Sequence, residues 1–185
     1  MLETEIKQCI QTLASEIAKD CEDLQSLVLV GVFPEGPFIA DRIAHVIQEN
    51  HNCQIAVGYL DVTLFLDHSL HNEQYIDIYQ TDIPVNLKNK HVVLIQDILF
   101  TGNRVRAAFN SLSYFDSPGT IKLAVLLDRG HRRLPVFANY TGKVIETNFE
   151  DHVQVKLAEE QGSDCVEKII NLYSDTMPTQ HEMAL

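Results

Sequence analysis

The sequence predicts an α/β protein with a doubly wound, mainly parallel sheet. Short apolar runs that suit buried strands alternate with segments whose apolar residues recur at helical spacing. The run His91–Ile95 is almost wholly apolar, as is typical of a central parallel strand covered on both faces. A chain of 185 residues has the length of one domain with a substantial core. In such a sheet, ligands bind at the carboxyl ends of the strands.

The first half of the chain is predicted to form two helices and two strands. The first helix spans Glu3 to about Cys21, and a buried strand follows at Leu27–Gly31. A turn leads to a second helix that begins at Pro37, a residue that suits the first helical position. A long strand, kinked at Gly58, is expected at Cys53–Phe65. The polar stretch 66–82 is predicted to be a mobile loop.

The second half continues the alternation of strands and helices. After the strand at His91–Ile95 comes a loop, and then a helix with an apolar face at Val105, Ala108, Phe109 and Leu112. The remaining elements are predicted to be strands at Ile121–Leu127, Val136–Tyr140 and Val153–Leu157 and a helix near Asp164–Leu172. We expect one domain over residues 1–173 and a frayed tail over 174–185.

The stretch VVLIQDILFTGNRVRAA, residues 92–108, carries the main functional prediction. Thr101, Gly102 and Asn103 fall at the N-terminus of the predicted helix. Free backbone N–H groups and the positive end of the helix dipole form a phosphate cradle there. Asp97 precedes the cradle and can accept hydrogen bonds from sugar hydroxyls. The predicted ligand is therefore a sugar phosphate.

This stretch resembles the phosphoribosyl diphosphate (PRPP) loop of type I phosphoribosyltransferases. Further blocks are similar, in order and spacing, to the PyrR family of pyrimidine operon attenuators and uracil phosphoribosyltransferases. These blocks are LVLVGVFPEGPFIADRIA (27–44), GYLDVTLFLDHS (58–69), TDIPV (81–85) and LLDRGHRRLPVFANYTGK (126–143). The resemblance extends to about Tyr173. It implies the type I phosphoribosyltransferase fold, with a small C-terminal hood and a mobile lid loop.

The resemblance implies roles for the residues around the cradle. The family has two adjacent acids that hold the ribose hydroxyls, where this chain has Gln96 and Asp97. Asp97 is thus the candidate catalytic and ribose-binding acid, with a helix-capping acid as the alternative. Arg104 stands where the family usually has Thr. It can pair with a phosphate, or it can point to solvent.

Two departures from the family pattern weaken the expected catalysis. The turn Phe33, Pro34, Glu35, Gly36 aligns with the family's pyrophosphate loop, where a basic residue usually stands in place of Glu35. A unit charge pair at about 4 Å and an effective dielectric constant of about 20 interacts with about 4 kcal/mol. Leu66 replaces an Arg at the start of the lid. A Mg²⁺ ion that bridges Glu35 to pyrophosphate, or a solvated acidic turn, are the alternatives for Glu35.

Residues 126–147 form the base-binding hood by resemblance. Val144 and Ile145 lie where such enzymes pack against the base and bind it through backbone groups. Asp128 and Arg129 match the junction of strand and hood, with a strand-end ion pair as the alternative. The basic residues Arg132, Arg133 and Lys143 can hold a phosphate or a partner acid, or be solvated.

Charge and composition limit the partners and the location. The net charge of −12 opposes RNA binding, the family's second activity. The first helix also has Thr12 and Ser15 where relatives carry Arg and His. The four cysteines are scattered, no apolar stretch spans a bilayer, and no signal peptide is seen, so we expect a cytoplasmic protein without a membrane partner. Relatives self-associate, which implies a homodimer or higher oligomer.

Metal and cofactor binding is predicted only in a restricted form. His68, His71 and Glu73 share the predicted loop, but exposed loop histidines explain them better than a metal site. No resident metal is therefore predicted, and Mg²⁺ is implied only if PRPP is bound.

Several functions remain open at this point. The first is a PyrR-like protein that binds a ribose 5′-phosphate ligand (UMP or PRPP) with weakened or lost catalysis. The second is an active uracil phosphoribosyltransferase, which converts uracil and PRPP to UMP and pyrophosphate. The others are an RNA-binding attenuator, which the charge disfavours, and a partner subunit without activity of its own.

Overall fold

The computed structural model describes residues 1–66, 78–115 and 117–169. Its elements are α1 (Glu3–Lys19), β1 (Leu27–Val32), α2 (Gly36–His51), β2 (Ala56–Leu60), a 3₁₀ helix (Thr63–Phe65), β3 (His91–Leu99), α3 (Asn103–Leu112), β4 (Thr120–Asp128), β5 (Tyr140–Val144), β6 (His152–Lys156), α4 (Ala158–Gln161) and β7 (Cys165–Ile169). Within those ranges, no helix has the length and apolar character needed to cross a bilayer. Part of the predicted loop, 67–77, and the predicted tail lie outside the described residues.

Five strands form one parallel sheet in the order β2-β1-β3-β4-β5, as the alternation of apolar runs predicts. Helices α1 and α2 cover one face, where Leu13 and Ile43 pack with Leu29 of β1. Helix α3 covers the other face, where Val105 packs with Val30 of β1. Because every residue of β1 is buried, its sequence is apolar throughout rather than alternating.

The predicted strand Cys53–Phe65 is too long, because β2 ends at Leu60 and a 3₁₀ turn follows. Asp61 ends the strand by accepting hydrogen bonds from the backbone N–H (2.8 Å) and hydroxyl (2.5 Å) of Thr63. Gly58 does not bend the strand into a second segment. Its lack of a side chain lets the segment around Asp82 approach, since a Cβ atom on residue 58 would lie 3.2 Å from the carbonyl oxygen of Asp82.

Two further predictions about the C-terminal half are wrong. The strand predicted at Val136–Tyr140 begins only at Tyr140, because Asn139 first forms two hydrogen bonds to Leu123: its N–H donates to the Leu123 carbonyl, and its amide oxygen accepts from the Leu123 N–H. The helix predicted near Asp164–Leu172 is instead strand β7 over Cys165–Ile169, which pairs antiparallel with β6. Gly162, with a φ of 76°, turns the chain back toward β6.

The topology gathers three strand ends at one edge of the sheet. Strand β1 leads into the turn Phe33–Gly36, β3 leads into residues 100–102, and β4 ends at Asp128. Strand β3 is longer than predicted and includes Gln96 and Asp97, which therefore lie in the sheet rather than in a loop. Because parallel strands share their carboxyl edge, these segments face a common cleft.

Candidate functional site

The predicted phosphate cradle is a tight turn between β3 and α3. Gly102 has a φ of 93°, a left-handed conformation that favours glycine, and a Cβ atom there would lie 3.3 Å from the Cβ of Leu134. The carbonyl of Thr101 accepts hydrogen bonds from the backbone N–H groups of Arg133 (3.0 Å) and Leu134 (3.2 Å). Helix α3 begins at Asn103, so its first-turn N–H groups have no intrahelical acceptors. The cradle is thus held in place by backbone contacts and can offer N–H donors to an anion.

Asp97 and Arg104 form an ion pair beside the cradle. Asp97 is buried, and its carboxylate accepts a hydrogen bond of 3.3 Å from a guanidinium nitrogen of Arg104. The sequence left two orientations open for the Arg104 side chain, toward a phosphate or toward solvent. In the structure, the side chain pairs with Asp97. A sugar hydroxyl that binds Asp97 meets this guanidinium at the same carboxylate.

Gln96 is buried with its hydrogen-bonding capacity unused. The residue is 1% exposed, and neither its side-chain oxygen nor its nitrogen has a hydrogen-bond partner in the part of the chain described. An unsatisfied buried polar group costs about 1–3 kcal/mol. A ligand that supplies both a donor and an acceptor, as a hydroxyl does, would satisfy this amide.

Glu35 lies in the turn that precedes α2, and the next residue, Gly36, packs closely against β3. A Cβ atom on the neighbouring Gly36 would lie 2.6 Å from the carbonyl oxygen of Ile95, so only glycine allows this approach. Burial, and next the charge of Asp97, raise the pKa of Glu35 to about 7, while Arg104 opposes the rise. Glu35 is therefore partly buried beside the Asp97–Arg104 pair, unlike the solvated acid of the alternative interpretation.

One cavity of about 620 Å³ is lined by the predicted cradle, Gln96, Asp97 and Arg129, but not by the turn Phe33–Gly36. Its lining residues are Leu66, residues 96–105, Arg129, Arg133 and residues 149–153. That volume is in the range of small-molecule sites, which hold about 300–1,000 Å³. The hood residues Asp128, Val144 and Ile145 line a neighbouring hollow, and Arg129 borders both. The structure thus brings the cradle, Gln96, Asp97 and Leu66 together, but not the predicted base-binding pair.

Arg129 connects the cavity wall to the segment that follows β5. Its side chain donates hydrogen bonds to the Thr147 hydroxyl (3.2 Å) and to the carbonyls of Asn148 (2.8 Å) and Asp151 (2.7 Å). Its guanidinium also lies 4.1 Å from the ring centroid of Phe100. Arg129 is therefore a structural link inside the site rather than half of a strand-end ion pair.

The basic residues of the C-terminal half do not form one patch. Arg132 pairs with Asp128, and Lys143 pairs with Glu5 of α1 at 2.7 Å. Arg133 is exposed and lies over the ring of Phe149, with 4.7 Å from its guanidinium carbon to the ring centroid. Two of the three cations are thus paired with acidic side chains of this chain, which is one of the alternatives considered from the sequence.

Sequence reasoning missed the aromatic residues of the cavity wall. The rings of Phe100 and Phe149 lie 5.1 Å apart, and His131 contacts both edge-on at 5.9 Å. Phe149 is far from the cradle in sequence and lies in an irregular segment. No periodicity or motif marks it, so only the folded chain shows its place.

Asp61 organises the region beside the site. Besides Thr63, its carboxylate accepts a hydrogen bond of 3.0 Å from the backbone N–H of Tyr79. The ring of Tyr79 stacks on that of Phe33, with centroids 4.4 Å apart and an interplanar angle of 8°. Asp61 thus links the two segments that flank residues 67–77, and Tyr79 packs on the turn that contains Glu35.

The charged groups of the cavity limit how a metal ion can be held. Across the described ranges, no three His, Cys, Asp or Glu side chains gather as ligands, and His68, His71 and Glu73 lie outside those ranges. Of the carboxylates that line the cavity, Asp97 is paired with Arg104 and Asp151 with Lys168. This set fits a Mg²⁺ ion only if phosphate oxygens of a ligand supply most of its coordination.

Comparisons with known proteins agree with this fold. The phosphoribosyl transferase domain family matches residues 2–160. The bifunctional protein PyrR of Ligilactobacillus salivarius is 38% identical over 164 residues, which cover 88% of this chain and 92% of that protein. The PyrR protein of Chloroflexus aurantiacus is 39% identical over 160 residues, which cover 86% and 88%.

Solved structures with the same fold include purine phosphoribosyltransferases. A hypoxanthine-guanine phosphoribosyltransferase from Bacillus anthracis has a TM-score of 0.62 at 20% identity, covering 78% of this chain and 82% of that one. The hypoxanthine phosphoribosyltransferase of Trypanosoma cruzi has a TM-score of 0.61 at 21% identity, covering 83% and 82%. With these matches, the chain belongs to the phosphoribosyl transferase domain family and, within it, to the PyrR proteins.

Proposed function

We propose that this protein is a PyrR-like member of pyrimidine metabolism that binds a ribose 5′-phosphate ligand, with UMP favoured over PRPP and with weakened catalysis. One observation carries the proposal. A single cavity contains an intact phosphate cradle and Asp97, while the turn beside it presents the acid Glu35. A nucleoside monophosphate needs the first two features and has no pyrophosphate to place near the third.

The cradle supplies the binding energy for the 5′-phosphate. Its donors are backbone N–H groups at the start of α3, and their positions are set by Gly102 and by the contacts of Thr101. Asp97 and Gln96 lie next along the same wall, where the ribose hydroxyls of a bound nucleotide would follow the phosphate. The hydroxyls can accept from the Gln96 amide nitrogen and donate to its oxygen, both of which lack a partner among the described residues.

Weak catalysis follows from the missing positive charge. Transfer of the phosphoribosyl group from PRPP releases pyrophosphate. Preorganised cations or metal ions are needed to stabilise the negative charge that develops on this leaving group. Glu35 places an acid in the turn, and Leu66 contributes an apolar side chain to the cavity. Arg104 is the cation that acts on Glu35, but its guanidinium already donates a hydrogen bond to Asp97.

The experiment compares binding and turnover on the same preparation. Calorimetry with ribose 5-phosphate, UMP and PRPP measures affinity, and labelled uracil with PRPP and Mg²⁺ measures UMP formation. We expect UMP to bind more tightly than PRPP and turnover to lie at least about 100-fold below the ordinary enzyme range of about 1–1,000 s⁻¹. Turnover in that ordinary range contradicts the proposal of weakened catalysis, and failure of UMP to bind contradicts the ligand.

The second candidate is an active uracil phosphoribosyltransferase, and Arg104 is the observation that favours it. Its side chain is 38% exposed at the mouth of the cavity, so it can leave Asp97 and pair with a pyrophosphate oxygen. In that case, Arg104→Thr abolishes UMP formation, whereas the first proposal predicts no comparable loss because little turnover exists.

RNA attenuation and self-association are addressed by simpler measurements. Thr12 and Ser15 are exposed and uncharged on α1, and the chain has 26 acidic against 14 basic residues. We expect no salt-sensitive RNA retention in a filter-binding assay. The family membership supports a homodimer or higher oligomer, which sedimentation velocity measures directly.

A further inference from the structure

Arg104 is the basic side chain that lies beside both the phosphate cradle and the buried acid next to it. It is the second residue of α3, and its guanidinium donates a hydrogen bond of 3.3 Å to Asp97. We propose that Arg104 takes the place of a divalent metal ion in this cavity, so that a ribose 5′-phosphate ligand binds without Mg²⁺. This inference rests on the proposed function and concerns the charge balance of its binding site.

The charge of Asp97 opposes the binding of any phosphate ligand nearby. The residue is 6% exposed and lines the same cavity as the cradle. A phosphate monoester adds between one and two negative charges near neutral pH, and like charges repel strongly in a partly desolvated cavity. A cation therefore has to neutralise the carboxylate if acid and phosphate are to share the cavity. That cation is either a bound metal ion or a basic side chain.

The acids of the cavity wall offer a metal ion few free ligands. Asp97 is paired with Arg104, and a carboxylate oxygen of Asp151 lies 2.8 Å from the side-chain nitrogen of Lys168. Glu150, which also lines the cavity, is exposed. A Mg²⁺ ion requires octahedral oxygen coordination and loses its bound water reluctantly. To reach Asp97, it would also have to displace a guanidinium that is already attached to the chain.

The amide at position 96 makes one positive charge sufficient. Gln96 precedes Asp97 on β3, is 1% exposed and carries no charge. The single positive charge of Arg104 therefore balances the single negative charge of Asp97, and a phosphate meets a neutral wall. A carboxylate at position 96 would leave this group of side chains negative, and a divalent ion would then be needed to neutralise it.

The position of Arg104 on α3 allows it to contact the ligand and the acid together. Its side chain is 38% exposed and lines the cavity. The bond to Asp97 uses one nitrogen, and a guanidinium carries N–H donors on two others. The backbone N–H of Arg104 belongs to the first turn of α3, where N–H groups have no intrahelical acceptors. A phosphate in the cradle can thus accept from both the backbone and the side chain of this residue.

The two other arginines of the cavity wall have different partners. Arg129 donates to the carbonyl of Asn148 at 2.8 Å. The guanidinium carbon of Arg133 lies 4.7 Å from the ring centroid of Phe149. The arginine that neutralises the acid beside the cradle is therefore Arg104.

Calorimetry on the full-length protein, with EDTA or with millimolar Mg²⁺, tests the inference with UMP and ribose 5-phosphate as ligands. We expect the wild-type affinity for each ligand to differ by less than about twofold between the two buffers. In Arg104→Thr, a charge-assisted hydrogen bond is lost and Asp97 keeps its charge, so we expect the affinity in EDTA to fall about 10- to 100-fold. Mg²⁺ should restore at least about tenfold of this loss, because the freed carboxylate can then coordinate the ion together with ligand oxygens.

Two further variants separate the effect of charge from an effect on folding. Arg104→Lys keeps the positive charge, and its affinities should remain independent of Mg²⁺. Arg106→Thr is the matched control, because it makes the same substitution on the same helix at a residue that is not among the described residues of the cavity wall. We expect Arg106→Thr to bind both ligands as the wild type does.

Electron paramagnetic resonance with Mn²⁺ in place of Mg²⁺ gives a readout of the metal itself. Relative to UMP alone, the wild type with UMP should leave the free-ion signal unchanged, and Arg104→Thr with UMP should reduce it. A reduced signal with the wild type overturns the inference.

The outcomes distinguish this inference from the proposed function. A wild-type affinity that rises at least about tenfold with Mg²⁺ overturns the inference and leaves the proposed function standing. The same holds if Arg104→Thr keeps the wild-type affinity in EDTA, or if Mg²⁺ does not restore its binding. If the wild type binds neither UMP nor ribose 5-phosphate in either buffer, the proposed function fails as well.

Discussion

The cradle at Thr101–Arg104 and the turn at Phe33–Gly36 lie at the same edge of the sheet but differ in what their function requires. In the proposed function, the cradle binds an anion through backbone N–H groups, whose direction is set by Gly102 and by the start of α3. A pyrophosphate subsite at the turn depends instead on the charge of one side chain, and that side chain is Glu35. A single substitution can therefore reverse the second subsite, whereas many substitutions leave the first intact.

This difference separates the binding of a phosphate from its transfer. Both segments are rigid, since Gly36 packs against the Ile95 carbonyl just as Gly102 packs against Leu134. In the proposed function, the fold thus keeps the shape of both subsites, and only the charge of one differs from the family pattern. A protein with this pattern is suited to sensing a nucleotide, a task that requires recognition without release of pyrophosphate.

The largest expected effect comes from disrupting the backbone subsite with Gly102→Val. A branched side chain cannot adopt a φ of 93° without strain, and its Cβ would press on Leu134. We expect UMP affinity, measured by calorimetry, to fall by about 100-fold, since the strain of about 1–3 kcal/mol displaces the N–H groups. Gly162→Ala is the control, because Gly162 has a φ of 76° with open space around it. Unchanged UMP binding in Gly102→Val contradicts a backbone cradle.

The second effect comes from restoring charge at the other subsite with Glu35→Arg and Leu66→Arg together. The double variant replaces one acid and one apolar side chain by cations, and we expect PRPP affinity or UMP formation to rise at least about tenfold. The assay is label transfer from uracil with PRPP and Mg²⁺. If neither PRPP affinity nor UMP formation rises in a double variant that still binds UMP, charge loss does not explain the proposed weakness of catalysis.

A smaller effect is expected from pH, because Glu35 titrates near neutrality. Its pKa is raised from 4.5 to about 7, chiefly by burial and then by Asp97, so the turn gains a negative charge between pH 6 and 8. The other charged groups that act on Glu35 are Arg104 and Glu160. We expect PRPP affinity to fall about three- to tenfold over this interval. Glu35→Gln serves as the control, and the difference between the two profiles removes the titration of the ligand itself.

The same pKa shift affects folding stability with a definite sign. The folded state holds the Glu35 proton more tightly than the unfolded state, so its contribution is full below pH 4.5 and is lost as pH rises through about 7. Glu35→Gln should therefore gain stability relative to the wild type at pH 8 and not at pH 4. Equal differences at the two pH values would contradict a raised pKa.

The smallest effect concerns Gln96, whose buried amide lacks hydrogen-bond partners among the described residues. Gln96→Leu keeps a similar volume and removes the unsatisfied groups, so we expect a gain of about 1 kcal/mol in the free energy of unfolding without ligand. UMP should raise the Tm of this variant less than that of the wild type, because the ribose loses a partner. Gln154→Leu on the partly exposed face of β6 is the control. If Gln96→Leu is less stable than the wild type, the unsatisfied amide of Gln96 does not reduce stability as proposed.

The parts of the site that sequence predicted are those whose structure is local. The strand, turn and helix from His91 to Leu112 follow one another, so periodicity and the Thr-Gly pair place the cradle without knowledge of the rest of the chain. The fold class follows for the same reason, because the strands and helices that form the central sheet and its two faces have apolar patterns of their own.

The parts that were missed depend on distant contacts. Strand β7 forms because β6 pairs with it, and the residues Cys165–Ile169 carry no alternation strong enough to predict this alone. The start of β5 is set by Asn139 bonding to Leu123 on another strand. Phe149 lies in the site because of contacts with residues distant along the chain, among them Phe100, and because Arg129 bonds to the adjacent Asn148.

Arg129 also has a consequence for how the protein opens. Its backbone N–H donates to the Leu99 carbonyl while its side chain holds Thr147, Asn148 and Asp151. Neither the end of β3 nor the turn at Phe149 can open locally without breaking hydrogen bonds to Arg129. Amide protons around residues 99–101 and 147–151 should consequently exchange with solvent as a single cooperative unit, at one common protection factor.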